Sequence, residues 1–530
     1  MFPSDKKSIL DAIAEEESRL AGLEGEAEKA RERLRALRSK LETVVCEPHV
    51  PYTLPLATNI PAPTTSGEKI DLFRSLFRGR DDIFPRLWTN LASGKKGYAP
   101  ACSTEWVPGI CEKPRVRCGD CPNQAFIPVA NQVIRDHLQG KQVIGVYPLL
   151  KDETCRLLAV DFDKGSWMED VLAFIEACHA HDLPAAVERS RSGNGAHVWF
   201  FFADPVAATV ARKMGCYLIT EAMARRHQLS MKSYDRLFPN QDTMPRGGFG
   251  SLIALPLQHG PRQKGNTVFL DDRMQPYADQ WAYLASIQRL DPRRVESIAE
   301  EATRSGRVID VPMSLSDDMS DKSPWMRPPS GHPRRTLIAD PLPKQVRAAL
   351  AQRLFIEKAG LPPPILNEIK RLAAFQNPEF YKKQSMRLST AMTPRVICCA
   401  EELSDHIALP RGCLDELKDL LKFAGSLLAL EDRRVAGESL DCHFQGNLTP
   451  VQEQAARALL QHDIGLFVAP PGIGKTVVGT FLIAARHRSS QLWSRYRRRV
   501  PPHSGILIRT GPSGNQSSVC RGTYSHTVPS

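Results

Sequence analysis

Hydrophobic and polar positions along the chain change period several times, and each change marks an element. Ile13, Leu20, Leu23, Ala27, Ala30, Leu34, Leu37 and Leu41 recur at spacings of three and four after the first step, which predicts a coiled coil over 1–45. Its partner would be a second copy or another helix, and a single solvated helix is the bland alternative. A Pro- and Thr-rich linker, 46–67, follows. Ile70, Leu72, Phe73, Leu76 and Phe77 then give an amphipathic opening to the segment 68–121. Over 122–305 the two periods interleave. Apolar runs at 143–147, 157–160, 252–257 and 267–270 predict strands, and 167–181 and 207–225 predict helices. The first helix would turn Val171, Leu172, Phe174, Ile175 and Cys178 inward. Together these predict an α+β domain, a mixed sheet packed by helices. Residues 306–345 lack periodicity and read as a linker. Residues 346–440 read as a helical domain, with helices at 345–359 and 414–429, and 441–485 as the start of an α/β motor lobe with a strand at 464–468. The tail, 486–530, is basic, then Ser-, Gly- and Thr-rich; it is expected to be disordered or the product of a frame change, with a basic nucleic-acid tail as the alternative.

The chemistry concentrates in one stretch. An apolar run from 156 ends in Asp161 and Asp163, which a strand projects to one face with Phe162 on the other. Two such acids repel unless a cation lies between them, and a pair of divalent ions there can drive in-line phosphoryl transfer. Alone, Asp-x-Asp is more often a solvated strand end. Asn194-Gly195 is a hairpin signal, so Ser192 and His197 flank a turn within reach of a ligand over the acids. His197, Trp199 and Phe201 would share one face, and Val198, Phe200 and Phe202 the other. Upstream, Cys118-Gly-Asp-Cys121 is a metal-binding knuckle, and Cys102 and Cys111 can complete the four thiolates of a structural zinc site. Buried free thiols are the alternative. Downstream, Gly472, Gly474, Lys475 and Thr476 fall in a phosphate-binding loop, in which backbone amides cradle phosphates, the lysine reaches them and the threonine faces Mg²⁺.

The order strand, two acids, helix, strand, Ser-turn-His, strand resembles the archaeo-eukaryotic primase superfamily. The runs 233–242, 247–258 and 264–271 are similar to the primase domain of bacterial TOTE conflict systems, in which a primase is joined to a superfamily-2 helicase; the resemblance spans about 72–485. It implies a core like an RNA-recognition-motif sheet and a DNA primase-polymerase, a nucleotidyltransferase extending a strand on a nucleic-acid template from nucleoside triphosphates. In that reading Asp161, Asp163 and Asp235 hold Mg²⁺ or Mn²⁺, with Asp271 the runner-up for the third acid. Ser192 and His197 bind the triphosphate, Lys264 adds a phosphate contact, and a cysteine-rich segment beside the core agrees with zinc. Phe444 and the run 448–452 resemble the adenine-reading motif of the helicases, with Gln452 as the reader of ATP. No Asp or Glu follows Asp463, so the acidic box such a motor needs is missing and ATP-driven unwinding is not expected. The rival readings are a nucleic-acid-binding or sensor fragment without synthesis, and the remnant of an ATP-dependent DNA helicase.

Composition narrows this picture little. At 530 residues about three to four domains are expected. A net charge of +11 favours an anionic partner, nucleic acid first, with single-stranded DNA as the expected template. No secretory h-region and no apolar run of spanning length occur, so a soluble, cytoplasmic protein with no membrane partner is expected. Thirteen cysteines at irregular spacing read as reduced thiols plus one metal site.

Overall fold

The computed structural model describes residues 62–90, 93–163, 165–309, 311, 341–435, 439, 441–463, 465 and 467–487, and the backbone of 518–520. The coiled coil over 1–45, nearly all of both linkers and nearly all of the tail lie outside the described residues. Two compact units are present, Met1–Leu72 with Asp279–Gln288, and Phe73–Ala278 with Arg289–Ser530. In the first, the Glu68 carboxylate accepts the Thr64 and Thr65 amides at the start of helix α1 (Ser66–Leu76), and Lys69 lies over the Trp281 ring.

The second unit is built on an antiparallel five-stranded sheet. Its strands are β1 (Thr154–Asp163), β2 (Ala186–Arg189), β3 (Gly195–Ala207), β4 (Leu237–Phe238) and β5 (Phe269–Leu270), in the spatial order β4-β1-β3-β2-β5. β1 and β3 form because both are nearly continuous apolar runs rich in branched and aromatic residues, which suits strands covered on both faces. Alternation divides them as expected. Phe162 and Phe200 pack on Phe174 of helix α2 (Trp167–His179), whereas Trp199 and Phe201 meet Phe77 edge-on on the opposite side. Helices α3 (Ala208–Arg225) and α4 (Pro292–Ser305) pack on the Phe200 side of the sheet. One residue of α2 departs from expectation. Leu172 is exposed, because Trp167, Val171, Phe174 and Cys178 already form the inward stripe and Leu172 falls one step beyond it.

The hairpin between β2 and β3 is present, but its left-handed residue is Gly193 (φ +79°) rather than the Asn194-Gly195 pair. Ser190 N donates to Gly195 O at 2.8 Å and Gly193 N to Ser190 O at 3.0 Å. Gly195 already belongs to β3, where a Cβ would stand 2.5 Å from Phe162 O. A glycine there lets the two strands close beside the acids.

The segment expected to be a helical domain, 346–440, is instead α+β. Residues 345–359, expected to be helical, fold as the antiparallel strands β6 (Gln345–Leu350) and β7 (Leu354–Glu357). Val346, Ala348 and Leu350 are buried in alternation, a period of two that the alanines disguised as a helix. Residues 414–429 divide into helix α7 (Leu414–Phe423) and strand Leu427–Asp432, with Gly425 at φ +78° between them. The five-stranded sheet of this module is covered by α5 (Pro363–Arg371) and α7 around a core that includes Leu354, Ile365, Ile369, Ile407, Leu417 and Leu421. Helix α6 (Pro378–Ser385) and the loop after it reach the domain built on the first five-stranded sheet: Gln384 Nε2 donates to Asp242 Oδ2 at 2.9 Å and Arg395 N to Asp235 Oδ1 at 2.7 Å.

Candidate active site

The two strands that carry the acids and the imidazole are neighbours in exact antiparallel register, Asp161 opposite His197 and Asp163 opposite Gly195. Opposed residues share a face, so Asp161, Asp163 and His197 lie on one side of the sheet. His197 Nε2 is 3.8 Å from Asp161 Oδ1. Its Nδ1 lies 2.8 Å from Glu188 Oε2, an oxygen that also accepts from Trp199 Nε1 at 3.0 Å. Glu188 is 1 % exposed and, when ionised, can only accept, which places the His197 proton on Nδ1 and turns Nε2 toward Asp161. Burial pulls the His197 pKa down, but the carboxylates of Glu188 and Asp161 outweigh it and the net direction is up.

The sequence implied a cation between the two acids, and the structure places one there: Arg236. Its Nη1 is 2.8 Å from Asp161 Oδ2 and 2.8 Å from Asp163 Oδ2. The ladder between β1 and β4 sets it there. Val160 pairs with Leu237, and Asp161 N donates to Arg236 O at 3.0 Å, so Arg236 faces the acids. Asp235 stands outside the strand: it ends the 3-10 turn Met231–Asp235, and its Oδ1 accepts from Arg395 N at 2.7 Å. Burial raises the Asp235 pKa against the lowering effect of the Arg395 amide and charge. Asp271, the runner-up, is spent in a tight turn, accepting from Arg273 N at 2.9 Å and Gln275 N at 2.8 Å. Neither joins Asp161 and Asp163, and among the described residues no group of three or more His, Cys, Asp or Glu side chains forms a metal cluster.

Ser192 occupies the hairpin turn, its Oγ accepting from Asn194 N at 3.2 Å and 3.2 Å from Ser190 Oγ. The Lys264 loop lies against this turn: Asn266 Nδ2 donates to Arg191 O at 3.3 Å and Arg189 Nη1 to Gly265 O at 3.3 Å. Lys264 itself is exposed. Acids, imidazole and turn thus form one continuous rim, with Ser192 and Lys264 at its end. Glu188 and Arg236 were absent from the sequence reading. Counting outward from the turn pairs Glu188 with His197, whereas no periodic signal marks Arg236, which follows a 3-10 turn.

Residues 68–298 match a family model, that of the TOTE conflict system, Archaeo-Eukaryotic Primase domain. The match takes in less than half of the chain. Among solved structures, the chain is similar to the polymerase domain of Ligase D from Mycobacterium tuberculosis in complex with DNA. That likeness has 13 % identity over 47 % of this chain and 91 % of that one, with a TM-score of 0.24. It is also similar to the primase-polymerase domain of cyanophage S-2L, at 14 % identity over 38 % of this chain and 97 % of that one, with a TM-score of 0.20. No curated protein matches.

Two further sets of residues remain, one inside the matched region and one beyond it. Cys102, Cys111, Cys118 and Cys121 line one small cavity with Glu105 and Lys113. Lys113 Nζ is 2.8 Å from Glu105 Oε1. Burial lowers its pKa, but Glu105 and the neighbouring Cys118 raise it further. Burial likewise works against ionisation of Cys102, yet the Thr104 hydroxyl, the Ala125 amide and Lys113 bring its pKa down overall. Thiols are the right donor chemistry for zinc, but the four line this cavity without being gathered into a group that could hold a metal ion among the described residues.

In the loop at 469–476, Gly472 and Gly474 adopt φ +89° and +83° and helix α9 (Lys475–Arg486) starts directly after them, following α8 (Pro450–Leu460). Lys475 Nζ donates to Pro470 O within the loop at 2.9 Å, and Gln452 Nε2 donates to Ile473 O at 2.8 Å while closing a capping box with Thr449. Thr476 stands at the second position of α9. The strand expected at 464–468 is not formed among its described residues, and Val468 is 81 % exposed.

The acid pair fits a divalent ion. Two hard oxygen donors converge on one point, and Asp161 and Asp163 are 23 % and 40 % exposed, open enough for substrate phosphates to complete the coordination.

Proposed function

We propose that residues 68–298 perform template-directed nucleotidyl transfer as a DNA primase-polymerase, joining the 3′-hydroxyl of a growing strand to the α-phosphate of a nucleoside triphosphate. The O–Pα bond forms as the bond from Pα to the pyrophosphate breaks. The observation that carries this reading is the convergence of Asp161, Asp163 and His197 on one sheet face beside the Ser192 turn, within a region that matches a primase family. Asp161 and Asp163 would hold Mg²⁺ or Mn²⁺, which supplies charge neutralisation at the phosphates and a lowered pKa for the attacking hydroxyl. Glu188 fixes the imidazole so that Nε2 faces the reacting phosphates. Ser192 and Lys264, on the adjoining loops, take the β- and γ-phosphates. Single-stranded DNA is the template and the setting is a bacterial conflict system. The test is primer synthesis on single-stranded DNA with Mn²⁺. Asp161→Ala is expected to abolish incorporation with the thermal unfolding of the chain preserved; undiminished synthesis by that variant would overturn the assignment.

One observation favours a second reading, a nucleic-acid-binding fragment without synthesis: the third acid is engaged by the Arg395 amide and a guanidinium fills the space between the other two. It predicts salt-dependent DNA binding with no metal-dependent incorporation in the same assay. We further propose a structural zinc on Cys102, Cys111, Cys118 and Cys121. For the phosphate-binding loop, with Lys475 and Gln452 engaged by the loop's own carbonyls, we propose that this chain drives no helicase cycle. DNA-stimulated ATP turnover dependent on Lys475 would defeat that proposal.

A further inference from the structure

Arg236 is held at its backbone from both sides. Its carbonyl accepts Asp161 N, its amide donates to Ser233 O at 3.1 Å, and its neighbour Asp235 is fixed to Arg395 N. The main chain at Arg236 therefore cannot move without breaking its bonds to β1 and to the 3-10 turn before it. The side chain is under no such restraint: it is 33 % exposed, and its only contacts described are the two carboxylates. It stands where two negative charges need a positive one, and it supplies a single charge where a divalent ion would supply two.

We propose that Arg236 is the resident counter-ion of the acid pair in the substrate-free protein and that a divalent ion enters only by displacing it. This inference rests on the reading of Asp161 and Asp163 as the metal-holding pair. The guanidinium and a divalent ion cannot share the point between the two carboxylates, because both are cations and the space is one contact wide. With the ion in place, Arg236 swings on its tethered backbone toward the open side of the rim. There a planar, always-charged fork suits an incoming phosphate oxygen better than a second carboxylate. The exchange gives the site two states: acids held aligned by arginine while no substrate is bound, and acids on the ion with the arginine free for the nucleotide's phosphates. Metal affinity is thereby kept low until a triphosphate arrives to receive the displaced charge.

The experiment is Mn²⁺ binding to the full chain, followed by electron paramagnetic resonance, for the wild type, Arg236→Gln, Arg236→Lys and the double variant Asp161→Asn/Asp163→Asn. Removing the competing charge is expected to tighten Mn²⁺ binding by about tenfold or more in Arg236→Gln. Arg236→Lys, which keeps the charge, is expected to stay near the wild type, and the double variant to lose the site. Thermal unfolding gives an independent readout. Arg236→Gln is expected to be less stable without metal and to regain that loss on adding Mn²⁺; a purely structural arginine would leave a deficit that metal does not repair. Unchanged or weaker Mn²⁺ binding in Arg236→Gln, with the site still lost in the double variant, overturns the inference and leaves the function standing. Mn²⁺ binding untouched by the double variant overturns the metal-holding role of the acids and the inference with it.

Discussion

The side chain with the most at stake beside the acids is Glu188. A carboxylate 1 % exposed is costly to bury, and here one oxygen accepts both His197 Nδ1 and Trp199 Nε1. Replacing it with alanine orphans two buried donors, each worth about 1–3 kcal/mol. Glu188→Ala is therefore expected to lower unfolding stability measurably in urea titration and to depress primer synthesis. Glu188→Gln, which keeps an acceptor, is expected to recover most of the stability. A full recovery of synthesis with it would show that charge on Glu188 is dispensable for orienting the imidazole. At this scale the sequence was legible where a rule of alternation applied. Asp161, Asp163 and His197 lie on a common face because strands have a period of two. Asp235 and Arg236 were not legible, since they stand at the end of a 3-10 turn, where the period of a strand assigns no face, and β4 after them is only two residues long.

Elements were read best where the period was unambiguous and worst where small residues blurred it. The apolar runs of β1 and β3 and the helices α2 and α3 stand where expected, whereas the alanine-rich strand β6 was taken for a helix. The cysteine knuckle shows what a glycine can reveal at this scale. A Cβ on Gly119 would stand 1.4 Å from Gly247 O, so the turn Cys118–Asp120 fits only because it is bare at that point and lies directly on the glycine-rich segment around Gly247. Gly119→Ala is expected to force the knuckle off this support. It should lower the zinc content measured by mass spectrometry of the purified chain, and also the unfolding temperature. Full zinc occupancy in the variant would mean that the thiols hold metal independently of that contact; zinc absent from the wild type would remove the structural-zinc proposal itself.

On the scale of the whole molecule, the module from 341 to 435 is a buttress for the domain that carries the acids rather than a helical spacer. Arg371 Nη2 donates to Tyr234 Oη at 3.1 Å, Arg395 N to Asp235 Oδ1 at 2.7 Å, and Gln384 Nε2 to Asp242 Oδ2 at 2.9 Å, an acid that Arg212 pairs with inside its own domain. These contacts all land on the segment 230–246 that leads into and out of β4. Burial works against the ionised form of Asp242, yet Arg212 prevails and its pKa is held below the ordinary carboxylate range. A depressed folded-state pKa means that the stability from this pair is fully present above about pH 4, the unfolded value for Asp, and is lost as pH falls through the folded value. Asp242→Asn leaves Arg212 buried without its counter-charge and is expected to cost about 3–5 kcal/mol at neutral pH. Because the variant has no Asp242 proton left to gain, the wild type should lose stability more steeply than Asp242→Asn as pH drops below 4, and the gap between them should narrow. Urea unfolding of the full chain at pH 7, 5, 4 and 3 measures that gap. A gap constant down to pH 3 would place the folded value lower still, whereas a negligible gap at neutral pH would mean that the Arg212–Asp242 pair adds little to the stability of the fold.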